Sequence, residues 1–306
     1  MTVLSPAPPA RPDLAANLIC MASMIVWAAG LPAANLLIPH VPALPLAAMR
    51  TALAAAVMLP VWWMLEGATV MRGAAWGRGI VVGGICLGAA AILLIIAQEA
   101  TDAATVAVIA ATAPVIGMLL EAALDGRRLT GRMVAGLTLS LAGGMLAYGA
   151  AMGSLALGVG AAAAMGSVIC YTWGSRATVE MFPDLTPVGR TAITATGAAV
   201  STGAAAAVWT LAGGAGPDWA ALGWPEAGAL AIFGIGSIAL SQLLWITSVG
   251  RLGIGVASLH TNAAPFYVML ILLAFGGGWN WLQVAGAVIV VAGVLVAQGM
   301  LLPGRR

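Results

Sequence analysis

The chain has 306 residues, of which 62% are hydrophobic and 40 are glycine, and its formal net charge is +2. Charged side chains make up 7%, against roughly 25% in a soluble domain, and no lysine is present. A globule could not cover its surface with so few charges, which excludes a soluble enzyme, a nucleic-acid binder and a disordered chain. Residues 1–13 form a short tail rich in Pro and Ala, with no pattern of a cleaved signal, so the first apolar run is read as a retained helix. Crossing about 30 Å of hydrocarbon takes about 20 apolar residues in a helix that satisfies its own backbone. Ten runs meet that length: 14–34, 43–64, 79–98, 102–124, 132–150, 155–176, 188–211, 227–249, 254–275 and 282–302. They are too long and too continuous for the alternating strands of a barrel. The expected fold is an all-α integral membrane protein of ten transmembrane helices joined by short loops.

Arginine placement sets a direction. With the N-terminus in the cytoplasm, eleven of the twelve arginines fall on inner loops or inner helix ends, and only Arg50 lies outside, just within the second span. Glu99, Asp102, Asp218 and Glu226 fall on the outer side. The positive-inside rule therefore puts both termini in the cytoplasm, including the short tail 303–306. Trp62, Trp63, Trp76, Trp219, Trp224, Trp279 and Trp281 stand near span ends, as interfacial anchors would. Cys20, Cys86 and Cys170 lie apart in apolar runs, with no metal or disulfide spacing. No cofactor is expected.

The fourth and ninth spans read alike. Pro114 and Pro265 each follow an alanine in mid-span, and Gly136, Gly143 and Gly149 of the fifth span match Gly286, Gly293 and Gly299 of the tenth. Trp27 and Trp173 hold similar places in spans one and six, as do Arg50 and Arg190 near the start of spans two and seven. The chain thus reads as two five-span units, 14–150 and 151–302. Because five is odd, the second copy must enter the membrane from the opposite side, giving an inverted repeat of the kind transporters use.

These residues resemble the drug/metabolite transporter superfamily, specifically its ten-helix EamA-type branch. The likeness rests on the Trp-Ala pair at 27–28, the Trp-Gly pair at 173–174, the span-two arginine, the mid-helix prolines and the glycine ladder of 128–146 and 281–296. Within that branch the sequence is most similar to bacterial inner-membrane exporters of aromatic amino acids. The resemblance implies a multi-pass inner-membrane protein that exports a small molecule and is not an enzyme. One departure stands out. The loop before the fifth helix usually carries a glutamate in this branch, and here Arg127 takes that place, with Gly278 in the second half.

Polar residues inside a membrane are functional candidates by default. The candidates for substrate binding are His260, Asn262, Tyr267, Trp27, Tyr171, Trp173, Gln242, Trp245 and Thr105, with Pro114 and Pro265 as gating kinks. Each has a structural alternative: hydroxyls bond their own i−4 carbonyl, tryptophans fill bundles, and a buried histidine can be held by a neighbouring helix. Span one carries no acid, and no pair of basic residues sits at mid-depth to hold a phosphate. The inventory suits a neutral amino acid, the hydroxyls and amides taking its carboxylate and the aromatic faces its ammonium. The lack of a dedicated intramembrane carboxylate argues against obligatory proton coupling. The bilayer and that small molecule are the expected partners, with a monomer favoured. Export of other metabolites or drugs is the alternative reading, and an intramembrane enzyme a more distant one.

Overall fold

The computed structural model describes residues 13–100, 109–110, 112–148, 158–274, 276 and 278–301. Thr105, the tails and the junction between residues 150 and 151 fall outside them. All regular structure among the described residues is helical. Helix α1 spans Leu14–Leu37 and α2 spans Ala43–Gly73, bending at Gly67, whose φ of 82° only glycine adopts without strain. Helix α3 runs through Trp76–Val81, a π-helical stretch Val82–Gly88, and Ala89–Ala100. Helix α4 is Ala113–Leu124, α5 Gly131–Tyr148, α6 Val159–Glu180 and α7 Pro187–Leu211. Helix α8 comprises Trp224–Ala231, a second π-helical stretch Ile232–Leu240, and Ser241–Leu252. Helix α9 comprises Ile254–Leu259, a 3-10 turn His260–Ala263, and Ala264–Ala274, and α10 is Trp281–Ala297.

Local chemistry starts these helices where they start. Asp13 caps α1 by accepting from the Ala16 N–H at 3.0 Å. Thr186 caps α7 ahead of Pro187, whose missing N–H costs nothing in a first turn. Glu226 reaches back to the Gly223 N–H at 2.8 Å to open α8. Five helices among the described residues (α1, α2, α3, α7 and α8) are long and apolar enough to cross a membrane. Their outer faces stay apolar: Met64 is 79% exposed, Leu211 87% and Val208 67%. In water such a surface would aggregate; in lipid it is solvated. The protein is a multi-pass membrane protein.

Helix packing follows a paired scheme. Helix α1 lies against α8 and α9, and α6 lies against α3 and α4. Helix α2 packs on α8, and α3 on α7. Three further pairs close the bundle: α2 with α7, α4 with α9, and α5 with α10. The α5–α10 contact runs over glycine. A Cβ on Gly136 would stand 2.5 Å from the Gly293 carbonyl, and one on Gly293 would stand 2.7 Å from the Gly136 carbonyl. Lipid tails are as apolar as leucine, so close backbone approach of this kind, rather than the hydrophobic effect, holds such helices together.

One anchor read from the sequence is a core residue instead. Trp62 is fully buried, its ring 5.7 Å from that of Trp76, in the cluster between α2, α3 and α7. Its position near a span end could not reveal that α7 covers that face. Trp63, the next residue, points outward at 57% exposure.

Among the described residues, Arg251, Arg176, Arg190 and Arg78 tie helix ends together. Arg251 forms a two-pronged pair with Asp13, both bonds at 2.7 Å, joining the end of α8 to the start of α1. Arg176 on α6 pairs with Asp125 just after α4. Arg190 and Arg78 donate to the carbonyls of Phe182 and Met181 in the α6–α7 turn. The Asp218 N–H donates to the His40 carbonyl at 2.8 Å.

The Asp125 pair carries a pH signature. Hydrogen bonds from Arg176 hold the Asp125 carboxyl below the ordinary 3.8 of an aspartate. A depressed folded-state pKa stabilises at pH values above the unfolded one, and that stability is lost as pH falls through the folded value. Thermal unfolding in detergent should therefore show a deficit for Asp125→Asn that is constant from pH 7 to about 5 and shrinks below about pH 4. A deficit that persists unchanged at pH 3 would contradict the ion pair.

Candidate central transport cavity

Four irregular stretches meet in the middle of the bundle. The π-helical parts of α3 and α8 carry one extra residue per turn, which pushes the chain outward and opens space beside it. The 3-10 turn of α9 precedes the second proline, and a turn at Thr112 precedes the first. Pro114 and Pro265 therefore lie in the first turn of a helical segment, where the missing N–H has no partner to lose. In place of the expected mid-helix kinks, a turn at Thr112 and a 3-10 turn at His260–Ala263 interrupt the regular α-helix just ahead of the two prolines.

A partly open cavity lies against all four stretches. Leu87 and Ala90 of α3, Ala110 and Ala113 around the α4 break, Ser237 and Ile238 of α8, and Thr261 and Asn262 of α9 line it. Helices α1, α2, α6 and α7 supply the rest, including Trp27, Arg50, Tyr171 and Ala195. Most of the wall is apolar.

Of the residues singled out from the sequence, the structure brings Trp27, Tyr171, Gln242 and Asn262 to this cavity. Tyr171 donates its hydroxyl to Gln242 Oε1 at 3.1 Å, which fixes the amide and leaves Gln242 Nε2 without a partner. Asn262 is 1% exposed and donates to the Ser140 hydroxyl at 3.0 Å, leaving its Oδ1 unpartnered. Trp245 stands behind Tyr171, ring centroids 6.1 Å apart, and donates from Nε1 to Ser175 at 2.9 Å. It supports the wall without lining it.

His260 and Tyr267 face a different, smaller space between α1, α9 and α10. There His260 Nδ1 lies 3.2 Å from the Ala257 carbonyl. Nearby, Asn17 and Gln298 exchange amide hydrogen bonds at 2.9 and 2.7 Å. Trp173 is 37% exposed on the outside of α6. On α6 it is Tyr171 that lines the cavity, together with Val168, as Trp27 does with Met24 on α1. Two residues further along a helix is a rotation of about 200°, so Trp173 turns to the opposite side.

The sequence reading passed over Arg50. It is 9% exposed, it lines the cavity, and every other residue in that wall is uncharged. The cavity therefore carries a cation and is not the neutral space expected. Arg190, its supposed counterpart, sits one turn closer to its helix start and bonds the carbonyls of Phe182 and Pro183. The signal was available: an arginine inside a span is expensive and rare.

Residues 14–149 match the EamA-like transporter family. The first half of this chain is thus similar to that family. A 74-residue stretch is 35% identical to the uncharacterized transporter YyaM of Bacillus subtilis (strain 168), covering 24% of each chain. The chain thus aligns with about a quarter of the length of that relative. One crystal structure superposes with a TM-score of 0.77 at 23% identity, over 95% of this chain and 99% of the other, a likeness of fold. In the EamA-like half, both acids near the unusual Arg127 are already paired. Glu121, 4% exposed, accepts from Arg127 at 2.6 Å and from the Gly255 N–H at 3.1 Å, tying α4 to α9. Asp125 holds Arg176. Arg127 thus serves an acid six residues earlier.

Proposed function

We propose that the protein is a secondary transporter that exports neutral amino acids, aromatic ones included, across the bacterial inner membrane by alternating access. The observation that carries this reading is the meeting of four interrupted helices around one central cavity. Transporters build their sites where spanning helices are broken, because freed backbone and polar groups are tolerable there only against a cavity.

The proposed architecture is ten spans in two inverted repeats, 14–150 and 151–302, with both termini cytoplasmic. Three features support it. The helix contacts exchange under a shift of five: α1–α8 becomes α6–α3, α1–α9 becomes α6–α4, and α2–α8 becomes α7–α3. The equivalent glycines cross over, Gly136 meeting Gly293 and Gly143 meeting Gly286, as a two-fold axis requires. The arginine bias of the sequence matches the cytoplasmic side of the positive-inside rule.

Tyr171, Gln242, Asn262 and Trp27 are the proposed substrate contacts, Thr105 is retained as a candidate on the fourth span, and the breaks at Pro114 and Pro265 are the proposed gates. Pocket walls of aliphatic groups and aromatic faces suit an apolar side chain, and the unpartnered amide atoms suit the charged ends of a zwitterion. Trp173 faces away from the cavity, and Trp245 acts through Tyr171. His260 and Tyr267 bear on substrate only through movement of α9. The protein is proposed to act as a monomer, without catalytic residues or cofactor.

Purified protein in liposomes loaded with labelled phenylalanine or threonine should release label faster than protein-free liposomes, with competition among neutral amino acids. If no amino acid moves while another small metabolite does, the substrate class is wrong and the export reading stands.

A further inference from the structure

We propose that Arg50 anchors a carboxylate of the transported molecule, an inference that rests on the central cavity being the transport site. Among the described residues the ion pairs engage Arg127, Arg176 and Arg251, and no carboxylate faces Arg50. Its guanidinium carbon lies 4.4 Å over the Phe233 ring, and its Nε is buried without a partner. An arginine stacked in this way has one face covered and offers its edge N–H groups, the geometry that grips a carboxylate by two parallel bonds. A guanidinium stays charged in any protein environment, so within the membrane it must be met by water or by an anion.

The neighbouring groups leave this role to Arg50. The Ser237 hydroxyl is spent on the Trp27 carbonyl at 3.0 Å. The Thr51 hydroxyl lies 2.8 Å from the Ala47 carbonyl and 2.7 Å from the Thr202 hydroxyl. Besides Arg50, the unpartnered polar atoms of the wall are the donor Gln242 Nε2 and the acceptor Asn262 Oδ1. Met24, Leu87, Leu94 and Val168 make the remaining wall apolar. The ligand class that matches is a monocarboxylate with an apolar body. The ammonium of an amino acid would have to be met elsewhere, and Asn262 Oδ1 is the free acceptor.

The test uses calorimetric binding to the purified full chain with two probes of one shape, 3-phenylpropionate and phenethylamine. Wild type should bind 3-phenylpropionate, and bind phenethylamine about tenfold or more weakly. Arg50→Met should weaken 3-phenylpropionate by about ten- to hundredfold while leaving phenethylamine where it was, and Arg50→Lys should fall between. Equal affinity of the two probes for wild type, or no binding of 3-phenylpropionate, overturns the assignment even if Arg50→Met fails to fold. So does a folded Arg50→Met that binds 3-phenylpropionate as wild type does. Failure of the transport reading would look different: carboxylate binding that depends on Arg50, with no flux of any amino acid in liposomes.

Discussion

Replacing Gly136 or Gly293 with valine should leave little folded protein. A Cβ on Gly136 would stand 2.5 Å from the Gly293 carbonyl and 2.6 Å from the Ala297 Cβ, and one on Gly293 would stand 2.7 Å from the Gly136 carbonyl and 2.8 Å from the Ser140 N. Apart from the Ala297 Cβ these are backbone atoms of two long helices, which cannot step aside as a side-chain tip can. Overpacking of a core ordinarily costs about 1–3 kcal/mol, and a pair of helices forced apart loses the contacts along its whole length. Against a total stability of roughly 5–15 kcal/mol, that is enough to remove most folded molecules. Gly228→Ala is the control. It sits in an exposed helical turn with nothing within 4 Å of an added Cβ, and should stabilise by about 0.5–1 kcal/mol. Yield and thermal unfolding in detergent read both. Wild-type behaviour of Gly136→Val would mean that α5 and α10 do not meet as described.

Ala195→Trp should abolish most transport and spare the fold. Ala195 is buried on α7, and its methyl lines the central cavity one turn from Ala198. An indole there fills space that the substrate needs, without displacing a packed neighbour. Efflux should fall roughly tenfold or more, with the unfolding temperature within a few degrees of wild type. Val208→Trp, on the lipid-facing surface of the same helix at 67% exposure, should leave efflux unchanged. A folded Ala195→Trp that transports normally would exclude this cavity as the route.

The all-helical, membrane-spanning character was legible because lipid imposes severe rules. Span length, arginine bias and the glycine ladder each follow from one physical constraint, and the positions of the described helices agree with the expected runs to within a turn at most ends. Finer features were hidden for equally physical reasons. The π-helical stretches at Val82–Gly88 and Ile232–Leu240 carry glycines as their only breakers, and glycines such as Gly83 and Gly234 there also serve close helix contacts, so they do not single out a π-helix. Pro114 and Pro265 were read as kinks, since a sequence does not show whether helix continues before a proline. Trp62 and Arg50 illustrate a third limit. Distance from a span end fixes depth in the membrane, but it does not fix whether a side chain faces lipid, a neighbour or a cavity.

The most direct measurement begins from a variant with Cys20, Cys86 and Cys170 replaced and one new cysteine introduced as Ala195→Cys. A membrane-impermeant thiol reagent is then applied to right-side-out and to inside-out vesicles. Two mirrored five-helix halves rocking about a central cavity predict labelling from both faces, slowed by substrate on each. Labelling from one face alone, or from neither, would contradict alternating access through this site.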